Sequence, residues 1–231
     1  MESRMFSLSL LDKTWEEVDT EGDETPDGRI VPSSGYSAVF GLDDTVFVSA
    51  TSRDPYSVTG TDSYDTSWFR AYNTREHHWS TLSTPPPLCR ELLPKVTVVS
   101  NGQAHILGAM HSIYSPSDGW SRGTPFPRAT TLSMVDSVSS DYSCAVTIGR
   151  DVLVLHCPTD EHSEDLMKAT ATRYYAALGE WDVVDCNPPS GQAFMNIRAC
   201  SLGGSRFLLH MAAFGNSDGN TLWVCNLEEA E

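Results

Sequence analysis

One short interval recurs along this chain and limits what it can fold into. Tyr72 and Trp79 stand seven residues apart in WFRAYNTREHHWSTL, as do Tyr174 and Trp181 in RYYAALGEWDVV and Val135 and Tyr142 in LSMVDSVSSDYS. A shorter version, FSLSLLDKTWEEV, lies around Asp12 and Trp15. Each copy reads as an outer strand, a polar turn such as Asn73-Thr74, and a second strand led by an aromatic residue. A supersecondary unit repeated whole constrains architecture more than any single motif can.

A second repeated feature is a tight hairpin. YSAVFGLDDTVFVSAT turns at Leu42-Asp43-Asp44, CAVTIGRDVLVLHC at Gly149-Arg150-Asp151, and NIRACSLGGSRFLLHMAAF at Gly203-Gly204. KVTVVSNGQAHILGAM turns at Asn101-Gly102, the strongest short hairpin signal present because both residues accept positive φ. Hairpin, variable loop, outer strand, turn and aromatic-led strand then follow in order. The hairpin turns fall roughly 45–60 residues apart, the spacing of propeller blades. The expected fold is therefore all-β: a small β-propeller of four to five blades, one domain over residues 1–231. A β-sandwich and a fragment of a larger propeller are the alternatives, although a sandwich need not repeat one four-strand order. Helix is expected only as single turns at 90–93 and 164–168. Residues 16–34, with seven carboxylates, two Pro and two Gly, read as an acidic solvated loop. Residues 53–67, 114–127 and 160–171 read as long loops.

Composition narrows the function. Of 231 residues, 40% are hydrophobic and 10% aromatic, which a disordered chain does not carry. The net charge of −16 opposes nucleic acid, whose phosphates require clustered Lys and Arg, and opposes anionic membrane surfaces. No apolar run reaches the eighteen or so residues of a spanning helix, and the first residues do not read as a signal peptide. Six cysteines are scattered without CxxC spacing, mostly in apolar runs, where a reduced thiol acts as a small hydrophobe. A cytoplasmic or nuclear setting is expected.

The repeat resembles kelch and galactose-oxidase-type β-propellers. Asp12 and Asp136 match the outer-strand Asp of that family, with Asn73 and Tyr175 in its place elsewhere; Trp15, Trp79 and Trp181 match its Trp, with Tyr142 as substitute. The family's Gly-Gly is replaced by Ser49-Ala50, Gly108-Ala109, His156-Cys157 and Met211-Ala212. The chain is also similar to the diverged kelch-like regions of plant F-box-related proteins. The resemblance implies blades with Trp15, Trp79 and Trp181 packed between them, so truncating any one is expected to cost about 3–5 kcal/mol. The copper ligands of galactose oxidase have no counterparts here.

The residues offer no coherent catalytic set. His77 and His78 are expected as exposed turn residues, and His156 and His210 as core histidines on apolar strands. Ser205 in GGSRF is a turn residue rather than a nucleophile, and Cys89 beside Arg90 is read as a surface thiol. Asp160, Glu161, Glu164 and Asp165 around His162 lack the spacing of a calcium loop. No metal and no cofactor are expected. The expected function is a non-catalytic interaction module that binds a protein or peptide. Its anchors would be loop aromatics on one face: Tyr56, Tyr64, Tyr114, Trp120 and Phe126. The alternative is an enzyme or small-molecule binder using a central channel near Ser34, Lys95, Cys144 and Arg198.

Overall fold

A computed structural model describes residues 5–24, 36–52, 66–82, 96–107, 110–126, 143–156, 170–184, 194–213 and 221–227. These are strand, turn and short connections, with no helix among them. None of them forms a helix long and apolar enough to cross a membrane. They divide into two compact units, Met1–Leu92 and Leu93–Glu231.

The N-terminal unit holds the hairpin β1 (Phe6–Ser9) and β2 (Thr14–Glu17), then β3 (Glu21–Gly22), β4 (Tyr36–Leu42), β5 (Thr45–Ser52), β6 (Thr66–Asn73) and β7 (His78–Leu82). Strands β4 to β7 form an antiparallel meander, and β3 adds to its outer edge parallel to β7. Thus part of the segment expected as acidic loop is strand: β2 runs through Glu17, and Glu21 and Gly22 pair with His78 and Trp79. One face of the meander stacks Phe40, Phe47 and Phe69, with centroids 5.2 Å apart for the first pair and 5.8 Å for Phe47–Phe69. The other face buries Val48, Tyr72 and Trp79, with Met5 and Val18 from the base of the hairpin packed against them.

The C-terminal unit holds three sheets. The first is β8 (Val96–Ser100), β9 (Gln103–Leu107), β10 (His111–Ser115) and β11 (Gly119–Arg122). The second is β12 (Ser143–Ile148), β13 (Asp151–His156), β14 (Thr170–Tyr175) and β15 (Glu180–Val184). The third is β16 (Phe194–Gly203), β17 (Arg206–Ala213) and β18 (Thr221–Asn226). Every pairing within them is antiparallel between consecutive strands. Two hairpin turns fall where the sequence places them, at Asn101-Gly102 and Gly149-Arg150; the third, expected at Gly203-Gly204, falls one residue later at Gly204-Ser205.

The β12–β15 sheet is covered on both faces, as a strand's alternating side chains make possible. Val152, Val154 and Tyr174 pack with Val96, Val98, Leu107 and Phe126 on one side. On the other, Cys144, Val146, Ile148, Leu153 and Leu155 pack with Ile197, Phe207 and Met211. Four consecutive residues of β13, Val152 to Leu155, are consequently buried, a continuous apolar run that a half-exposed sandwich strand would not show. The first strands β8, β12 and β16 lie side by side. Thr147 Oγ1 donates to the Val99 carbonyl at 2.5 Å, and Ser100 Oγ to the Arg150 carbonyl at 2.6 Å. Gly149 N donates to the Gly204 carbonyl at 3.0 Å. Successive sheets thus stack face on face with their hairpin turns in a row.

The expected loop at 114–127 is corrected. Tyr114 lies on β10, Trp120 on β11, and the two pair directly across a turn at Pro116–Asp118. The second unit's Tyr–Trp hairpin is this one, with an interval of six. The pair expected there, Val135 and Tyr142, lies outside the described residues, as do the expected helical turns.

Candidate functional site

In three sheets the same cross-strand triplet recurs: Val46–Tyr72–Trp79, Ala104–Tyr114–Trp120 and Val152–Tyr174–Trp181. The Tyr and Trp rings sit 5.0, 5.0 and 4.9 Å apart respectively, the tilted contact that aromatic quadrupoles favour. The hairpin turns leading to Trp15, Trp79 and Trp181 use positive φ at Lys13, His77 and Gly179, each two residues before the Trp. Asn73 Oδ1 accepts from the backbone N–H of Arg75 and Glu76 and closes the turn of β6 and β7. Asp12 likewise lies in a turn rather than on the outer strand, bonded to Ser9. His77 and His78 are exposed beside this turn, as expected.

The most chemically specific cluster is one the sequence reading missed. His105 and His111 lie on adjacent strands between the first two sheets of the C-terminal unit, against Tyr174 and, for His111, Trp181. His111 Nδ1 is 3.1 Å from the Thr124 carbonyl, which only accepts, so that nitrogen carries the proton. His111 Nε2 is then the acceptor of the 3.0 Å bond from His105 Nδ1. His105 Nε2 is buried with no hydrogen-bond partner among the described residues. Trp181 Nε1 donates to the same Thr124 carbonyl at 2.9 Å, which pins the segment leading to Phe126 over the seam. Gly123 permits the close approach: a Cβ there would lie 2.3 Å from His111 Nδ1.

Burial pushes both imidazoles down to about 4, helped at His105 by the charge His111 would carry and opposed at His111 by its bond to Thr124. The rings facing the pair are Tyr174 and Trp181; burial raises the Tyr174 hydroxyl's pKa, leaving it neutral. A proton on either ring would set donor against donor or leave a buried donor bare. Unfolded histidine takes its proton near 6.5, so between pH 6.5 and 4 the unfolded chain binds more protons. Stability from this pair is complete above about pH 6.5 and is lost as the pH falls toward 4. Urea unfolding of the parent and His105→Gln at pH 7 and 4.5 checks this: the variant is expected to lose less stability on acidification. The enclosure of these rings makes them packing groups between sheets.

Of the expected anchors, Phe126 is 2% exposed and Tyr114 8%, because one closes the sheet-to-sheet seam and the other fills the inner side of a Tyr–Trp pair. They belong to the interior, not to a docking face. Trp120 is half-buried, and Tyr56 and Tyr64 lie outside the described residues. So do Cys89, the acidic group around His162, and Ser34 and Lys95 of the channel alternative. Cys144 is buried in the core and Arg198 is exposed. His210 is half-buried on β17. Among the described residues no group of three or more His, Cys, Asp or Glu could hold a metal ion.

Trp15 is a correction. Trp79 is 3% exposed and Trp181 half-buried, but Trp15 is 67% exposed. It pairs with Leu8 in a two-stranded hairpin to which no inner strand pairs among the described residues. Phe6 and Leu8, two apart, share a face with Trp15, and all three are exposed, as are Leu10 and Leu11 at the turn. Five large apolar side chains within ten residues thus face solvent.

No family model matches this sequence, and no curated protein matches it. Solved structures do. YjhT, a kelch-type propeller, aligns with a TM-score of 0.57 at 13% identity over 96% of this chain and 73% of its own. A fungal alcohol oxidase of the AA5 family, solved in complex with copper, aligns with a TM-score of 0.54 at 7% identity over 96% of this chain and 47% of its own. At such identities the likeness shows fold alone: this chain is all-β and of the propeller type, related in architecture to kelch and galactose-oxidase-like proteins. The similarity to F-box-related proteins finds no support in these neighbours.

Proposed function

We propose that this chain is a non-catalytic interaction module that binds a protein or peptide partner through aromatic side chains on a rigid all-β frame. The exposed face of Phe6, Leu8 and Trp15 carries this reading. A Trp flanked by two large apolar residues is the composition of a binding hot spot, and clustered exposed apolar residues mark interaction surfaces. The frame beneath is fixed, since Met5 and Val18 at the hairpin base pack on the Val48–Tyr72–Trp79 cluster. Trp120, Tyr56 and Tyr64 remain candidate second anchors. The free thiols Cys200 and Cys225 accord with a reducing cytoplasmic or nuclear setting.

The test is affinity capture from native extract with the parent chain and Trp15→Ala, followed by affinity measurement on whatever the parent recovers. Trp15→Ala should leave folding unchanged within about 0.5 kcal/mol. It should weaken partner binding by about 2 kcal/mol, roughly thirtyfold. Equal recovery of every specific protein by both chains would sink the proposal.

A further inference from the structure

The hydrogen bonds around His105 and His111 determine where a further proton can go. Each ring carries one on Nδ1, given by His111 to the Thr124 carbonyl and by His105 to His111 Nε2. His105 Nε2 therefore keeps the open lone pair of the two rings, and it is buried. A first proton there leaves the ring-to-ring bond intact but makes a buried cation whose new N–H meets no acceptor. A second has only His111 Nε2 to occupy, where it would meet the His105 Nδ1 proton across 3.0 Å and add like charge. Around the rings, β8 sets Val98 and β10 sets Ile113 opposite His105, and β9 sets Leu107 opposite His111. Across the seam β14 presents Tyr174 and β15 Trp181, with Val152 and Val154 of β13 in the cluster around Tyr174. Among the described residues no carboxylate and no further cation acts on either ring.

Thr124 is the polar tie across this seam. Its carbonyl accepts from His111 on one sheet and from the Trp181 indole on the other, and its hydroxyl donates to the Gly179 carbonyl. Gly123 N donates to the His111 carbonyl at 3.0 Å, so the strap 123–126 is fastened chiefly through His111 and Trp181. The first strands are tied differently, by the Thr147 and Ser100 hydroxyls to backbone carbonyls, which do not titrate at acid pH. The far face of the β12–β15 sheet is an apolar core. We propose that His105 and His111 form an acid-operated latch: on taking up protons they release Thr124, and the strap lifts from the Tyr174 and Trp181 rings while the first strands and the far face stay closed. Opening uncovers Phe126, Tyr174 and Trp181, an aromatic surface that is shut at neutral pH. The acid sensitivity of the pair is thus a local opening before it is a loss of the whole unit.

The test is NMR on the full chain. At pH 7 the ring nitrogen shifts should show both histidines neutral with the proton on Nδ1. Hydrogen exchange is then compared at pH 7 and 4.5, as protection relative to an unstructured amide at the same pH. Protection of the Gly123 amide and the Trp181 indole N–H should fall about a hundredfold or more, since each ring regains its ordinary affinity for protons once the seam is open. This exchange should be insensitive to low urea, the mark of a small opening, whereas β13 and β17 amides should exchange only through a urea-sensitive one. In His105→Gln, which takes up one proton fewer, the fall should be smaller by about tenfold or more. Four results would overturn the proposal: a proton on Nε2 of either ring at pH 7, unchanged protection at pH 4.5, an equal fall in the variant, or the same urea dependence at Gly123 as at β17. The last would mean that the whole unit opens at once; the three parent readings hold even if the variant does not fold.

Discussion

Replacing Trp79 with Ala is expected to destabilise the N-terminal unit by about 3–5 kcal/mol, close to the whole stability of a small domain. The ring is 3% exposed, lies 5.0 Å from Tyr72, and has the Arg70 guanidinium 5.2 Å from its centroid. Its loss would open a cavity beneath Val48 and remove a desolvated cation–π contact from an arginine that is itself 1% exposed. Trp15→Ala, at the matching place in the repeat, should change stability by no more than about 0.5 kcal/mol. Urea titrations of the two variants, followed by exchange protection of β5 and β6, give the comparison. Equal destabilisation would mean that Trp15 is packed and that its exposed face is not available to a partner.

Gly22→Ala is expected to have the second large effect. Gly22 adopts φ 129°, and a Cβ there would lie 2.0 Å from the Trp79 carbonyl oxygen. The backbone cannot give way without releasing β3 from β7, where Glu21 N and Asp23 N donate to the carbonyls of His77 and Trp79 at 3.0 Å. Asp23 would go with it. Its carbonyl accepts from Arg70, and its carboxylate accepts from Thr81 N at 2.7 Å, the bond that holds this carboxyl below its usual range. Backbone strain at Gly22 plus the lost β3–β7 backbone bonds should total about 2–4 kcal/mol. Faster exchange at the Thr81 amide together with a lower urea midpoint is the expected signature. An unchanged midpoint would show that the β3–β7 pairing contributes little.

Local chemistry made the hairpins legible and hid the environment of their side chains. Asn101-Gly102, Gly149-Arg150 and Asp43-Asp44 announce turns because their residues tolerate the required backbone angles, and each turn stands where the sequence puts it. Residues 116–119 mislead by composition: Pro-Ser-Asp-Gly after Ser115 reads as open loop, yet Asp118-Gly119 is a tight-turn signal, and Gly119 has φ 73°. Once that turn is recognised, the Tyr114–Trp120 pair falls into the same place as Tyr72–Trp79. His105 and His111 carry no signal in the sequence alone, because a polar residue among apolar ones on a strand reads as an outward face. The β12–β15 sheet covers that face through Tyr174 and Trp181, and this cover belongs to the neighbouring sheet, not to the strand. The same reason explains Trp15, whose hairpin pairs with no inner strand among the described residues.

The four-stranded sheet of β12 to β15 is packed between the sheets on either side of it. The most direct measurement is an aromatic-to-methyl NOE spectrum of the full chain with selectively labelled Trp, His, Phe and Leu. NOEs are expected from the Trp181 indole to His111 and Phe126 on one side of the β12–β15 sheet. On the other side, NOEs are expected from Phe207 to the Leu153 or Leu155 methyls. If one of the two sets is missing while its residues are folded and assigned, that sheet has a bare face and the stacked arrangement is wrong.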